Sequence, residues 1–460
     1  MNYTSQNQKD KKEMIKTIGV NDVSELFDVV PKDLRAKELN ISGGKTEQEL
    51  LNCFSDIASK NRVLRSFRGA GVYDHFIPSL VGEITGRSEF WTAYTPYQAE
   101  ASQGTLQTVF EYQSLICALT GLDTSNASLY DGATAIAEAA LLALRVNRKD
   151  KILISSALHP EYIKVVKTYL ESKAKLVFLD VSSFNGTIEK ETLDANLDEN
   201  TAAVIMQSPN YFGVVEDMQV MSVVTRNKNS LFVAVVNPLS LGIFKAPGEY
   251  NADIAVGEGQ VLGSSMNVGG ATFGFMAVKK ALEWKMPGRI VGQTFDKRGN
   301  RGFVLTLQSR EQHIRREKAT SNICTNASLN ALAGCVFLSG WGNYGFKKLA
   351  EINVSKARYA FDRIKSLKGF RSKFGKDRVF FNEFVIETEK DINKINEVLL
   401  ENDILGPLDL SNHYNVLDCI PVSLNLLRMR MSFKNCLLFC VTEQRTKCEI
   451  DKLTEILSKI

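Results

Sequence analysis

The chain has 460 residues, 44% apolar and 23% charged, with a formal net charge of only +4; this composition excludes a disordered chain and provides for a large core in two or three domains. No run approaches the roughly eighteen apolar residues of a membrane span, and the opening MNYTSQNQKDKKEMIK lacks the apolar stretch of a signal peptide, so a cytoplasmic protein without membrane contact is expected. Eight cysteines (Cys53, Cys117, Cys324, Cys335, Cys419, Cys436, Cys440 and Cys448) form no C-x-x-C pair and accompany only four histidines, a pattern that reads as reduced, buried thiols with no metal site.

About the first sixty residues read as helices, because DVSELFDVVPKDLR and TEQELLNCFSDIASKN each place a capping residue before spaced apolar positions. They form an arm, residues 1–65. The Gly- and aromatic-rich FRGAGVYDHFIP reads as an ordered loop, followed by a helix over about 103–119. Then strands and helices alternate. KILIS, KLVFL, AAVIMQ, LFVAVV, ADIAV and TFGFMAV are continuous apolar strands, with helices from Pro160, over about 189–197 and from Glu216. That alternation implies a mainly parallel sheet covered on both faces, with ligands beyond the carboxyl ends of its strands, and assigns residues 66–335 to a large α/β domain. Past Gly340 one long helix to about Lys368, VFFNEFVIE, a helix over 391–400 and the final NCLLFCVTEQRTKCEIDKLTEIL make a smaller α+β domain, 336–460. The stretch 412–435 shows no clear period.

Ser125–Arg145, SNASLYDGATAIAEAALLALR, is a polar turn running into an apolar helix. Asp131, Gly132 and Thr134 suit its N-terminus, where unpaired N–H groups and the helix dipole could hold an anion. An ordinary capped core helix explains the same residues. His159, before Pro160, reads as a helix-start residue.

Two further segments stand out. Between Lys285 and Lys318 nine Lys/Arg face three Asp/Glu. Without interleaved aromatics this basic stretch does not read as a nucleic-acid surface; it suits an anionic small molecule or an acidic protein partner, or is plain solvated surface. In TAYTPYQAE, Thr92 to Glu100, Pro96 stiffens a loop carrying Tyr94, Thr95, Tyr97 and Gln98. Such a loop can complete a neighbour's site or pack an interface.

FRGAGVYDHFIP, GRSEFWTAYTPYQAEASQGTLQ, HPEY, QSPNYFGVVEDM, VGEGQVLG and TLQSREQHIRREKATSNICTN, in this order, resemble the glycine cleavage system P-protein family, glycine dehydrogenase (decarboxylating), and within it the chain of the two-chain form that lacks the Schiff-base lysine. The resemblance runs from about Ile18 to the C-terminus and weakens over 412–435. It implies the aspartate-aminotransferase-like fold of pyridoxal-phosphate enzymes, fold type I. It also implies one subunit of an enzyme that decarboxylates glycine and transfers the aminomethyl group to lipoylated H-protein.

Such an enzyme needs a lysine for the Schiff base and an acid for the pyridinium nitrogen. Against the family pattern, Val261 stands near the lysine position and Asn237 at the aspartate position. The resemblance therefore puts pyridoxal phosphate on a lysine-bearing second subunit, in a heterodimer or a pair of heterodimers, and not covalently on this chain. Asp131, Gly132 and Thr134 become a vestigial phosphate cradle and His159 a vestigial ring-stacking residue. Tyr94, Thr95, Tyr97 and Gln98 are expected to contribute to the partner's site, and Arg298, Arg301, Arg310, Arg315 and Arg316 to dock the carrier. Two alternatives stay open: a self-sufficient pyridoxal-phosphate enzyme using a displaced lysine such as Lys245, Lys279 or Lys280, and a catalytically inert assembly subunit.

Overall fold

The computed structural model describes residues 6–36, 39–91, 94–267, 270–375, 378–413 and 433–460; Cys419 and most of the aperiodic 412–435 stretch lie outside them. The chain forms two units, Met1–Arg62 and Val63–Ile460. In the first, α1 (Gln8–Ile18) and α2 (Glu47–Ala58) each start with a reciprocal capping box, Asn7 with Asp10 and Thr46 with Glu49. DVSELFDVVPKDLR does not become the expected α-helix. It makes two 3₁₀ turns, Val23–Phe27 and Lys32–Leu34, because Pro31 separates them and has no N–H to continue a helix.

In the second unit seven strands form one sheet: β1 (Thr124–Ser125), β2 (Lys151–Ser155), β3 (Lys175–Leu179), β4 (Thr201–Gln207), β5 (Leu231–Val235), β6 (Ile254–Glu258) and β7 (Gly274–Val278). Their order is β1-β7-β6-β5-β4-β2-β3, with β2 to β6 parallel and β7 antiparallel to both neighbours. Alternate residues feed opposite cores, as the two-residue period of a strand requires. Leu153, Val204, Phe232 and Ala255 join the core under α3 (Gln103–Thr120), which contributes Tyr112 and Ile116. Ile152, Ile205, Val233 and Val256 join that under α4 (Gly132–Asn147) and α5 (Pro160–Leu170). The winding reverses at β2, which lies between β3 and β4; a crevice opens beyond the strand ends at such a switch point.

Past β7 the structure departs from the sequence reading in two ways. A hairpin, β8 (Ile290–Phe295) and β9 (Arg301–Thr306), occupies the basic stretch, its turn closed by Asp296 accepting from the N–H groups of Arg298 and Asn300 at 2.8 Å each. The long helix, α6 (Ser328–Lys365), starts ahead of Gly340 and breaks at Gly342, where φ 58° and ψ −179° suit glycine alone. The division drawn at 335/336 falls inside it. Its first half packs Ala331, Phe337 and Leu338 into the core under α3; its second half packs Ala357, Phe361 and Ile364 against a four-stranded antiparallel sheet. That sheet has the order β10-β11-β13-β12, from β10 (Phe370–Ser372), β11 (Glu383–Thr388), β12 (Leu408–Asp409) and β13 (Cys436–Cys440).

The cysteines correct a second expectation. Cys335, Cys436 and Cys440 are buried, but Cys53, Cys324 and Cys448 are exposed, since they sit on helix faces or a loop that no core covers. Among the described residues no helix is long and apolar enough to cross a membrane.

Candidate functional site

The carboxyl ends of β2, β4, β5 and β6 converge on one cleft. After β2, His159 caps α5: its Nδ1 accepts from the Glu161 N–H at 3.2 Å, which leaves Nε2–H to donate to the Ala70 carbonyl at 2.8 Å. Burial holds its pKa below the ordinary histidine value, so the ring is neutral. The imidazole lies against Tyr162, centroids 4.7 Å apart, and edge-on to Tyr211 at 5.0 Å. After β5, Asn237 caps the turn Pro238–Gly242, its Oδ1 accepting from Leu239 N–H at 3.0 Å. Val261, in the turn after β6, is 3% exposed and belongs to the core.

The polar start of α4 lies across from them. Asp131 Oδ1 accepts from the Thr134 N–H at 2.7 Å, while the Thr134 hydroxyl donates to the Asp131 carbonyl at 3.1 Å. Both side chains thus serve the helix itself. The Gly132 N–H donates at 2.9 Å to Oε2 of Glu258, the last residue of β6. No local pattern in the sequence pointed to Glu258.

A loop sewn down at both ends covers the cleft. Ala70 N–H and the Tyr73 hydroxyl donate to the two oxygens of Glu383 at 2.6 and 2.7 Å. The Gln260 amide brackets Tyr73, accepting from its N–H and donating to its carbonyl at 3.0 Å each. Glu443 accepts from His75 Nδ1 at 2.8 Å and Phe76 N–H at 2.5 Å. Burial pushes the Glu383 carboxyl up to about 7, while the hydrogen bonds to Glu443 hold it below the ordinary glutamate value despite its burial. Glu383, Glu443 and Gln260 were missed in the sequence because each acts on residues distant along the chain.

The cleft so lined has about 30 Å³ of free space, room for a water or two. A pyridoxal phosphate does not fit these residues: there is no amine at Val261, no acid at Asn237, and no open N–H at Gly132. None of the lysines considered as substitutes lines it. Lys279 pairs with Asp253 and Lys280 with Glu283. Lys245 borders a separate cavity of about 270 Å³ with Glu216 and Tyr250.

The remaining candidates lie elsewhere. Tyr94, Tyr97 and Gln98 are exposed, and Thr95 and Tyr97 accept hydrogen bonds from the buried Arg289 at 3.2 and 2.9 Å. Arg298 and Arg301 stand exposed on the β8–β9 hairpin, and Arg315 and Arg316 are exposed beyond it. Arg310 is not a docking residue. It is buried, and its guanidinium donates to the carbonyls of Met286, Gly288 and Leu307; the first two would be orphaned without it, while Leu307 keeps the Arg310 backbone N–H.

The family model for the glycine cleavage system P-protein matches residues 1–457. The chain belongs to the glycine cleavage system P-protein family. It is 76% identical, over the full length of both chains, to a protein of Endomicrobium trichonymphae named probable glycine dehydrogenase (decarboxylating) subunit 1. A relative of that name from Anoxybacillus flavithermus is 46% identical over 99% of this chain and 98% of its own. Among solved structures, an inhibitor-bound glycine decarboxylase (P-protein) of the glycine cleavage system superposes with a TM-score of 0.85 at 39% identity, covering both chains fully. A NifS-like protein at 13% identity, with a TM-score of 0.61 over 86% of this chain and 98% of its own, shares the fold alone. The architecture is the pyridoxal-phosphate fold type I that the sequence motifs implied.

Proposed function

We propose that the chain works as subunit 1 of a glycine dehydrogenase (decarboxylating) of the glycine cleavage system, in the cytoplasm, with pyridoxal phosphate held by a subunit 2 partner. This reading is supported by a chain related over its whole length to proteins named subunit 1 having no lysine among the residues that line the cleft at its strand ends. The assembled enzyme would decarboxylate glycine and pass the aminomethyl group to a lipoylated H-protein. The part of this chain is to complete the partner's site and receive the carrier. Tyr94 and Gln98 are exposed and available for the first task; Arg298, Arg301, Arg315 and Arg316 supply positive charge for the second.

The test is to purify the chain with and without its partner and measure glycine–bicarbonate exchange, together with the visible absorption of bound cofactor. Exchange is expected only from the pair. After borohydride reduction with excess pyridoxal phosphate, the isolated chain should carry no stoichiometric pyridoxyl-lysine; such an adduct would overturn the reading in favour of a self-sufficient enzyme.

A further inference from the structure

The carboxylate of Glu258 crosses 126 residues of sequence to reach the first turn of α4, where its Oε2 accepts from Gly132 N–H at 2.9 Å. Its Oε1 accepts from the Gln260 N–H at 3.0 Å and from the Thr272 hydroxyl. A helix-start N–H, a loop N–H and a hydroxyl, all aimed at one oxyanion, are the donors that proteins offer to phosphate groups. Here the oxyanion is the chain's own. The approach is close enough to require glycine: a Cβ on residue 132 would lie 2.9 Å from the Glu258 backbone nitrogen. With Asp131 holding the Thr134 N–H, two internal carboxylates take the N–H groups of Gly132 and Thr134.

We propose that Glu258 is a built-in anion that takes the place of a ligand phosphate at the start of α4, and so closes this chain's cleft to phosphate-bearing cofactors. The residue acts as a determinant of exclusion. A neighbouring subunit of the same fold can keep its cofactor while this one takes none, because the seat is filled by a side chain that cannot diffuse away. The inference extends the reading that the cofactor belongs to the partner, yet it needs neither glycine nor the partner to be tested.

The test uses inorganic phosphate as the probe on the full chain. Glu258→Ala removes the carboxylate and opens space beside Gly132; Glu258→Gln keeps the shape without the charge. Phosphate is titrated into wild type and both variants, followed by the NMR signals of isotope-labelled glycine amides and by thermal unfolding. The expected result is a saturable shift of the Gly132 amide in Glu258→Ala, with an affinity at least about tenfold above any response of the wild type, and a thermal stabilisation by phosphate that the wild type lacks. An equal phosphate response in wild type, or none in folded Glu258→Ala, overturns the proposal. Should the alanine variant fail to fold, Glu258→Gln decides: phosphate must stabilise it more than it does the wild type, and equal stabilisation, or none, overturns the proposal. Exchange activity plays no part in the readout, so a missing phosphate response and a missing exchange activity are separate failures.

Discussion

Arg289, 2% exposed ahead of β8, determines what the 94–98 loop can offer. Its guanidinium donates to Tyr97 Oη at 2.9 Å, Thr95 Oγ1 at 3.2 Å and Glu311 Oε2 at 3.2 Å, and lies 4.9 Å from the Tyr97 ring centroid. Thr95 and Tyr97 are therefore fasteners that hold the loop to its own chain. Tyr94, 78% exposed, and the exposed Gln98 remain for a partner. Tyr94→Phe and Gln98→Ala each remove hydrogen-bonding capacity at little cost in apolar area. If the loop reaches the partner's site, both variants should co-purify with the partner and lose about ten-fold of exchange activity, roughly 1.4 kcal/mol; full activity in both would leave the loop as interface packing. What was legible here was local: Pro96 announces a stiff loop, Asp131 with Thr134 a cap, and His159–Pro160 a helix start. The fastener was not, because Arg289 stands 192 residues beyond Tyr97. Glu258 was hidden in the same way.

The covering loop and β11 show the same rule one level up. FRGAGVYDHFIP reads as ordered from its glycines and aromatics, but its order comes from Glu383, which is buried and touches the loop through Ala70 N–H and Tyr73 Oη. The strands β2 to β7 were legible because a continuous apolar run needs no partner to be recognised. The β8–β9 hairpin was masked by its charges, and the early start of α6 by small residues that carry little helical signature. Glu383 has a stability consequence with a definite sign. Its folded pKa of about 7 lies above the reference value of 4.5, so between those two values the folded chain holds the proton more tightly than the unfolded chain does. This contribution is complete below pH 4.5 and lost as pH rises through 7. Glu383→Gln keeps an acceptor for the Ala70 N–H and places a non-titrating amide beside Tyr73, whose hydroxyl then accepts where it now donates. Denaturant unfolding at a series of pH values should therefore show the variant gaining on wild type by on the order of 3 kcal/mol across that window, and parallel pH profiles would show that Glu383 does not titrate there.

At the scale of the molecule the charge is uneven: a net of +4 overall, yet nine Lys/Arg against three Asp/Glu between Lys285 and Lys318. The fold sorts these charges by role. Arg289 and Arg310 are drawn inside to satisfy Glu311 and three carbonyls. Arg298 and Arg301 are held outward by a hairpin whose turn Asp296 closes, and Arg315 and Arg316 stay at the surface. Exposed charges of one sign contribute little to folding but raise the encounter rate with an acidic partner through their field, an effect that salt screens. Reversing Arg298 and Arg301 together should therefore leave stability nearly unchanged. In the assembled enzyme it should raise the Michaelis constant for the lipoylated carrier several-fold at low salt, with little change in that for glycine, and added salt should narrow the gap between variant and wild type. The same reversal at Arg310 would instead unfold or destabilise the chain, since it strips the Met286 and Gly288 carbonyls of their donor and buries a carboxylate in its place. A carrier constant that stays put at low salt in the Arg298/Arg301 variant would return the hairpin to ordinary solvated surface.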